Sequence, residues 1–182
     1  MKRLFLCLFM GMLLAWAYPA HSATVIYDES GNAIGIDGLI VTGYGQYDVD
    51  FLHVSFNDLW PSGSNPEFWG DESGAQSASD AINSVLNDES TPPFVSNQGK
   101  AYYYVPFKEV EGNYPIQNVR SYRKVYDLGG VEWLRDSNIS VKKSYPFSYA
   151  KFTAVPIPPA LLLLGSGLVV IVGIRRKTGA KG

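Results

Sequence analysis

Cysteine occurs once in the 182 residues, at Cys7, and histidine only twice, at His21 and His53. With its one thiol near the start, the rest of the chain has no internal disulfide, no thiolate metal cage and no cysteine nucleophile. Basic residues are scarce where the chain can fold. All seventeen acidic residues lie between Asp28 and Asp136, whereas only nine of the fifteen basic residues lie between Ala23 and Ala154. That middle region therefore carries a net charge of −8, against −2 for the whole chain. An acidic surface repels phosphate backbones, which argues against nucleic acid as a partner, and it favours solubility outside a cell. Long apolar runs are missing from the middle and confined to the two ends.

The N-terminal run has the layout of a secretory leader. Lys2 and Arg3 give a positive start, Leu4 to about Ala17 is apolar, and Tyr18-Pro19 breaks the helix. Ala20-His21-Ser22 then places small residues, Ala20 and Ser22, where a signal peptidase reads them, so cleavage after Ser22 is expected. About 14 apolar residues are too few for the ~20 of a retained membrane span. Cys7 lies before the apolar stretch is complete, too early for a lipoprotein acylation site.

The C-terminal run is more specific. Val155-Pro156-Ile157-Pro158-Pro159 precedes fifteen residues, Ala160 to Ile174, that are apolar apart from glycines and Ser166, and Arg175-Arg176-Lys177 follows. As a helix, those fifteen residues rise roughly 22 Å, short of a ~30 Å hydrocarbon core unless the flanks contribute. The basic cluster predicts a cytoplasmic end, with Ala23–Ala154 on the other side of the membrane. The prolines fix φ and favour an extended segment, the form a protease cleft accepts.

This order of motif, short helix and basic stop resembles the PEP-CTERM sorting signal in its VPxP variant, over about 25 residues from Val155 to Lys177. Ile157 stands where the eponymous Pro-Glu-Pro motif has glutamate, which bears on the enzyme subtype that reads it. The resemblance implies processing by an exosortase in the inner membrane of a Gram-negative bacterium. It also implies delivery to the cell surface or medium and association with exopolysaccharide or biofilm matrix. Residues 1–22, 23–154 and 155–182 thus read as signal peptide, extracytoplasmic domain and sorting tail, with the motif at 155–159, the transmembrane helix at 160–174 and the basic end at 175–182.

The middle region predicts a β-rich α+β domain, an antiparallel sheet or sandwich-like arrangement with one amphipathic helix. Strands are expected at Thr24–Tyr27, Ile34–Thr42 and through Tyr47-Asp48-Val49-Asp50-Phe51, where apolar and acidic residues alternate. The alternation changes phase near Leu52, which predicts either a bulge or a strand buried on both faces. Ser73-Gly74-Ala75-Gln76 has the form of a capping box, and Ala78, Ile82, Val85 and Leu86 follow at helical spacing, which predicts a helix over 74–88. Further strands are expected at Ala101–Phe107, Gln117–Tyr126, Val131–Leu134 and Phe147–Thr153. The stretch Gly35–Leu86 also resembles an ectodomain pattern that recurs among PEP-CTERM proteins and has no assigned activity.

Candidate chemistry is thin. His53 is the one histidine a Ser-His-Asp triad could use, yet no G-x-S-x-G elbow accompanies it outside the tail, and a structural role is expected. Asp48 and Asp50 share a strand face near Asp58, Glu67, Asp71 and Glu72, a set that calcium or a glycosidase pair could use. No D-x-[DN]-x-[DN]-G loop is present, and no spacing selects two of them. The aromatics Trp60, Phe68, Trp69, Tyr102, Tyr103, Tyr104 and Trp133 are numerous, and Trp60 and Trp69 flank a Pro/Gly/Ser loop. Core packing accounts for aromatics in strands, while exposed Trp60 and Trp69 would stack on sugar rings. Neither catalytic residues, cofactor nor metal is expected. A non-enzymatic surface protein is the leading expectation, with a carbohydrate-binding module and a secreted carboxylate-pair hydrolase as alternatives.

Overall fold

Seven strands form one sheet in the order β1-β2-β3-β7-β4-β5-β6, seen in a computed structural model that describes residues 22–156 other than Gly63 and Leu128. Ala20, the motif residues Ile157, Pro158 and Pro159, the expected membrane helix and the stop residues Arg175, Arg176 and Lys177 lie outside the described residues. Among the described residues no helix is long and apolar enough to cross a membrane.

The strands are β1 Thr24–Tyr27, β2 Ala33–Val41, β3 Gly45–Ser55, β4 Tyr102–Glu109, β5 Ile116–Val125, β6 Val131–Val141 and β7 Pro146–Ala154. Every neighbouring pair is antiparallel except β4 and β7, which meet in parallel at the single pair Tyr104↔Tyr149. The domain is thus β-rich with few helices, built on one mixed sheet.

β3 runs without a break against β7, from Tyr47↔Ala154 to Ser55↔Pro146. No bulge interrupts β3 at Leu52, and Leu52, His53, Val54 and Ser55 are each only half-buried, so this end of the strand is partly covered on both faces. Tyr47, Val49 and Phe51 face one layer, and the segment delivers Phe56 to the other. The bulge sits instead in β2, between Ile36 and Leu39. There Gly38 takes φ +70°, and its N–H donates to Asp48 Oδ1 at 2.9 Å.

Two helices follow β3. The short α1, Phe56–Leu59, is capped by Ser55, whose Oγ accepts from Asp58 N. The long α2, Glu72–Asn87, covers one face of the sheet with Ala75, Ala78, Ile82 and Leu86, each 0 % exposed. Its N-cap is Asp71, which accepts from Gly74 N at 2.9 Å, so the expected Ser73 capping box is corrected. Asp71 is the better cap because an ionised carboxylate also meets the positive end of the helix dipole. Gly74 is required for packing: a Cβ there would lie 2.7 Å from Phe68 Cδ1.

β6 continues well past the expected end at Leu134, through Arg135-Asp136-Ser137-Asn138, because β5 and α2 give those polar residues partners. Arg120 pairs with Asp136, Arg135 Nε donates to Asp80 Oδ1 at 2.8 Å, and Asn138 Nδ2 donates to Glu72 Oε1 at 2.6 Å. Asn87 acts as a surrogate strand residue at this sheet edge. Its amide accepts from Trp133 N at 2.6 Å and donates to Trp133 O at 3.0 Å. At Trp133 this removes the backbone donor and acceptor that another strand would use.

Candidate functional site

The face of the sheet away from α2 has its own aromatic layer. Phe56, Trp60, Tyr104, Ile116, Val141 and Tyr149 form a second buried cluster, with Trp69 and Phe147 packed against it. The α1 turn folds Trp60 back beneath β7, its N–H donating to Phe56 O at 2.8 Å. Its ring lies 4.9 Å from Phe56 and 5.5 Å from Tyr149 between centroids. Trp60 is 8 % exposed, so its ring is a packing element and offers no open face to a sugar. Trp69 is half-buried and packs on Phe56 at 5.7 Å.

A cleft of about 380 Å³ opens beside this cluster, bordered by Trp60, Pro66, Glu67, Pro106, Lys151 and Phe152. Its cause is topological. β4 and β7 pair only at Tyr104↔Tyr149, and beyond that point the loop before α2 fills the gap, with Gly70 N donating to Phe107 O. Glu67 accepts from Tyr47 Oη at 3.3 Å. Behind the cleft, the Tyr149 hydroxyl is buried with no hydrogen-bond partner among the described residues, and burial, then the nearby Tyr104, raises its pKa. Glu67 and Lys151 are the ionisable side chains among the residues that line this cleft.

His53 hydrogen-bonds Ser148, with Nδ1 3.1 Å from Oγ, and Ser148 Oγ in turn lies 3.5 Å from Ser96 Oγ. Both serines are 0 % exposed, so no substrate reaches them, and His53 has no carboxylate partner among the described residues. Burial, then the positive Lys100, lowers the His53 pKa, which keeps the ring neutral at neutral pH. The cluster serves the fold. Ser96 takes φ +64° and donates its N–H to Ala33 O, which ties the preceding loop to the start of β2.

Most of the acidic residues singled out have structural partners, while Asp50 is exposed on β3. Asp48 holds the β2 bulge, Asp58 and Asp71 belong to helix starts, and Glu72 accepts from Asn138 and Gln76. Among the described residues no three His, Cys, Asp or Glu side chains converge to hold a metal ion.

The exposed aromatics lie elsewhere than the sequence suggested. Tyr114 is 54 % and Tyr145 is 55 % exposed, and Lys142 Nζ sits 5.6 Å and 5.1 Å from their ring centroids. Lys143 Nζ donates to Glu109 Oε1 at 2.7 Å alongside. Two turns carry this patch, Gly112-Asn113-Tyr114-Pro115 and Lys142-Lys143-Ser144-Tyr145. Their available signal was a lysine pair beside a tyrosine in an otherwise acidic region.

The motif residue Val155 is part of the fold: its N–H donates to Gln46 O at 2.9 Å, just beyond the last β3–β7 pair. The other end of the domain is close by. Ser22 and Ala23 line a groove with Leu39, Ile40 and Thr42, and Ile40 pairs with Gln46. No family model, curated protein or solved structure matches the chain.

Proposed function

We propose that the chain is a non-enzymatic, exported surface or matrix protein, held by its C-terminal tail in the inner membrane and then processed there by an exosortase-type enzyme. The observation that carries this reading is the junction at Val155. The sheet ends at Ala154, and the next residue both closes the ladder and opens the Val-Pro-Ile-Pro-Pro motif. The folded unit thus fills the interval between the leader and the tail and adds no spacer before the motif. Buried serines beside His53 and carboxylates engaged as caps favour a role without catalysis.

Mass spectrometry of the C-terminus, on protein from membranes and from medium, tests this. Membrane-bound chain is expected to retain residues 160–177 and released chain to end within or shortly after residues 155–159. An intact tail in the medium would rule out processing.

A second reading, contact with acidic exopolysaccharide, is favoured by the Tyr114–Lys142–Tyr145 patch. Two exposed rings can stack on pyranose faces while the ammonium between them meets a uronate carboxylate. Pull-down on an acidic polysaccharide should weaken at least fivefold in Tyr114→Ala/Tyr145→Ala and stay unchanged in Trp60→Phe. Equal retention of all three proteins would reject this contact.

A further inference from the structure

Register places both chain exits at one end of the sheet. β1 begins at Thr24↔Asp37, two residues from Leu39, and Leu39, Tyr47 and Ala154 lie side by side across β2, β3 and β7. The turn joining β2 to β3 projects from this same end, with Ile40 62 % exposed on its flank and Tyr44 40 % exposed, its ring edge-on to Phe68 at 5.6 Å between centroids. From Val155 to Ala160, the first residue of the apolar run, there are five residue steps, a reach of at most about 18 Å in any conformation. The polar headgroup zone of one leaflet occupies roughly 5–8 Å of that reach. While the tail is embedded, the end of the sheet bearing Gln46 is therefore held within about 10–13 Å of the headgroup surface.

From this we infer that the domain is seated end-on against the bilayer, with the Thr42–Gly45 turn, Tyr44 and Ile40 at the level of the lipid headgroups. The inference rests on the reading of residues 155–182 as a membrane-held tail and adds the orientation of the domain. Ile40 and the exposed part of the Tyr44 ring supply the apolar contact at that depth, while Phe68 and Asp71 hold Tyr44 in place from behind. Two side chains on a domain of charge −8 give little affinity of their own, so the contact depends on the tether, which supplies a high effective concentration. Release of the tail therefore also releases the surface. With Val155 bonded into the sheet, only Pro156 to Pro159 separate the fold from the apolar run, so a processing enzyme must approach the tail right beside the folded domain.

The test uses the full chain after leader removal, which has no cysteine once Cys7 is gone. It carries a polarity-sensitive label at Ile40→Cys, at Tyr44→Cys or at Val125→Cys. Val125 is 63 % exposed and lies toward the opposite end, past the Tyr102↔Tyr122 pair. The chain is reconstituted in phosphatidylcholine/phosphatidylglycerol vesicles containing headgroup spin-labelled lipid. Quenching at positions 40 and 44 should exceed that at 125 by at least threefold, and all three should become equal and low after proteolytic removal of the tail. Flotation with the vesicles but equal quenching at the three sites would overturn the seating and leave the anchored-tail reading intact. A chain that does not float would overturn both. A label shift that grows with protein concentration without spin-labelled lipid would assign this face to a second copy and overturn the membrane contact.

Discussion

Trp133→Ala is expected to lower the stability of the Ala23–Pro156 domain by about 4–5 kcal/mol, the upper part of the range for removing a buried tryptophan. Trp133 is 1 % exposed on β6 and packs against Tyr103 at 5.4 Å between ring centroids. Its indole N–H donates to Pro93 O at 3.0 Å, so truncation leaves a cavity and also orphans a buried carbonyl. The loop before β4 hangs on that bond and on Arg123 Nε, which donates to Pro92 O at 2.7 Å. For a domain of this size the loss corresponds to a drop of roughly 12–18 °C in Tm. Trp133→Phe keeps much of the volume and loses the donor, and should fall between the two. Thermal and urea unfolding followed by circular dichroism measure all three proteins. A loss below about 1.5 kcal/mol for the alanine variant would show that the residue does not anchor the β6 edge.

Tyr103→Phe isolates a different contribution. Tyr103 is 0 % exposed, and its hydroxyl lies 2.7 Å from Asn83 Oδ1 and 3.0 Å from Ser79 O. Asn83 Nδ2 donates to Ser121 Oγ at 3.0 Å, and Ser121 Oγ is 2.7 Å from Ser79 Oγ. These four side chains tie α2 to β4 and β5 through polar bonds inside an apolar layer. Burial raises the Tyr103 pKa strongly, so the phenol stays a neutral donor throughout the range in which the protein is handled. Removing one oxygen changes the volume little but leaves Asn83 Oδ1 unpaired, at a cost of about 1–3 kcal/mol. Adding Asn83→Leu removes the stranded partner, so the double variant should cost less than the sum of the singles, by at least ~0.5 kcal/mol. Strict additivity would show that the two groups do not act as a unit.

How far the sequence reached can be traced element by element. The period-2 alternation at Tyr47–Phe51 and the 3.6-residue spacing of Ala78, Ile82 and Leu86 place β3 and α2 correctly, because each pattern is a direct print of one buried face. The same logic fails at Arg135–Ser140, where strand pairing overrides a polar composition, and at Trp60, where burial comes from the α1 turn. The cap moved from Ser73 to Asp71 because two acceptor residues stand two positions apart and only the chain path decides between them. The Tyr114–Lys142–Tyr145 patch joins two turns nearly thirty residues apart, and no local signal brings such turns together.

The sequence by itself determined that the middle of this chain is acidic, free of cysteine and set between two apolar runs, the second led by prolines. Those are properties of composition and order, which folding does not alter. Tertiary structure alone decided that Val155, the first motif residue, is also the last rung of the sheet, and that Ile40, Tyr44 and both chain exits share one end. The physical reason is register. A ladder of backbone hydrogen bonds fixes which distant residues lie side by side, and nothing in residues 40–46 or in residue 155 announces that they will meet.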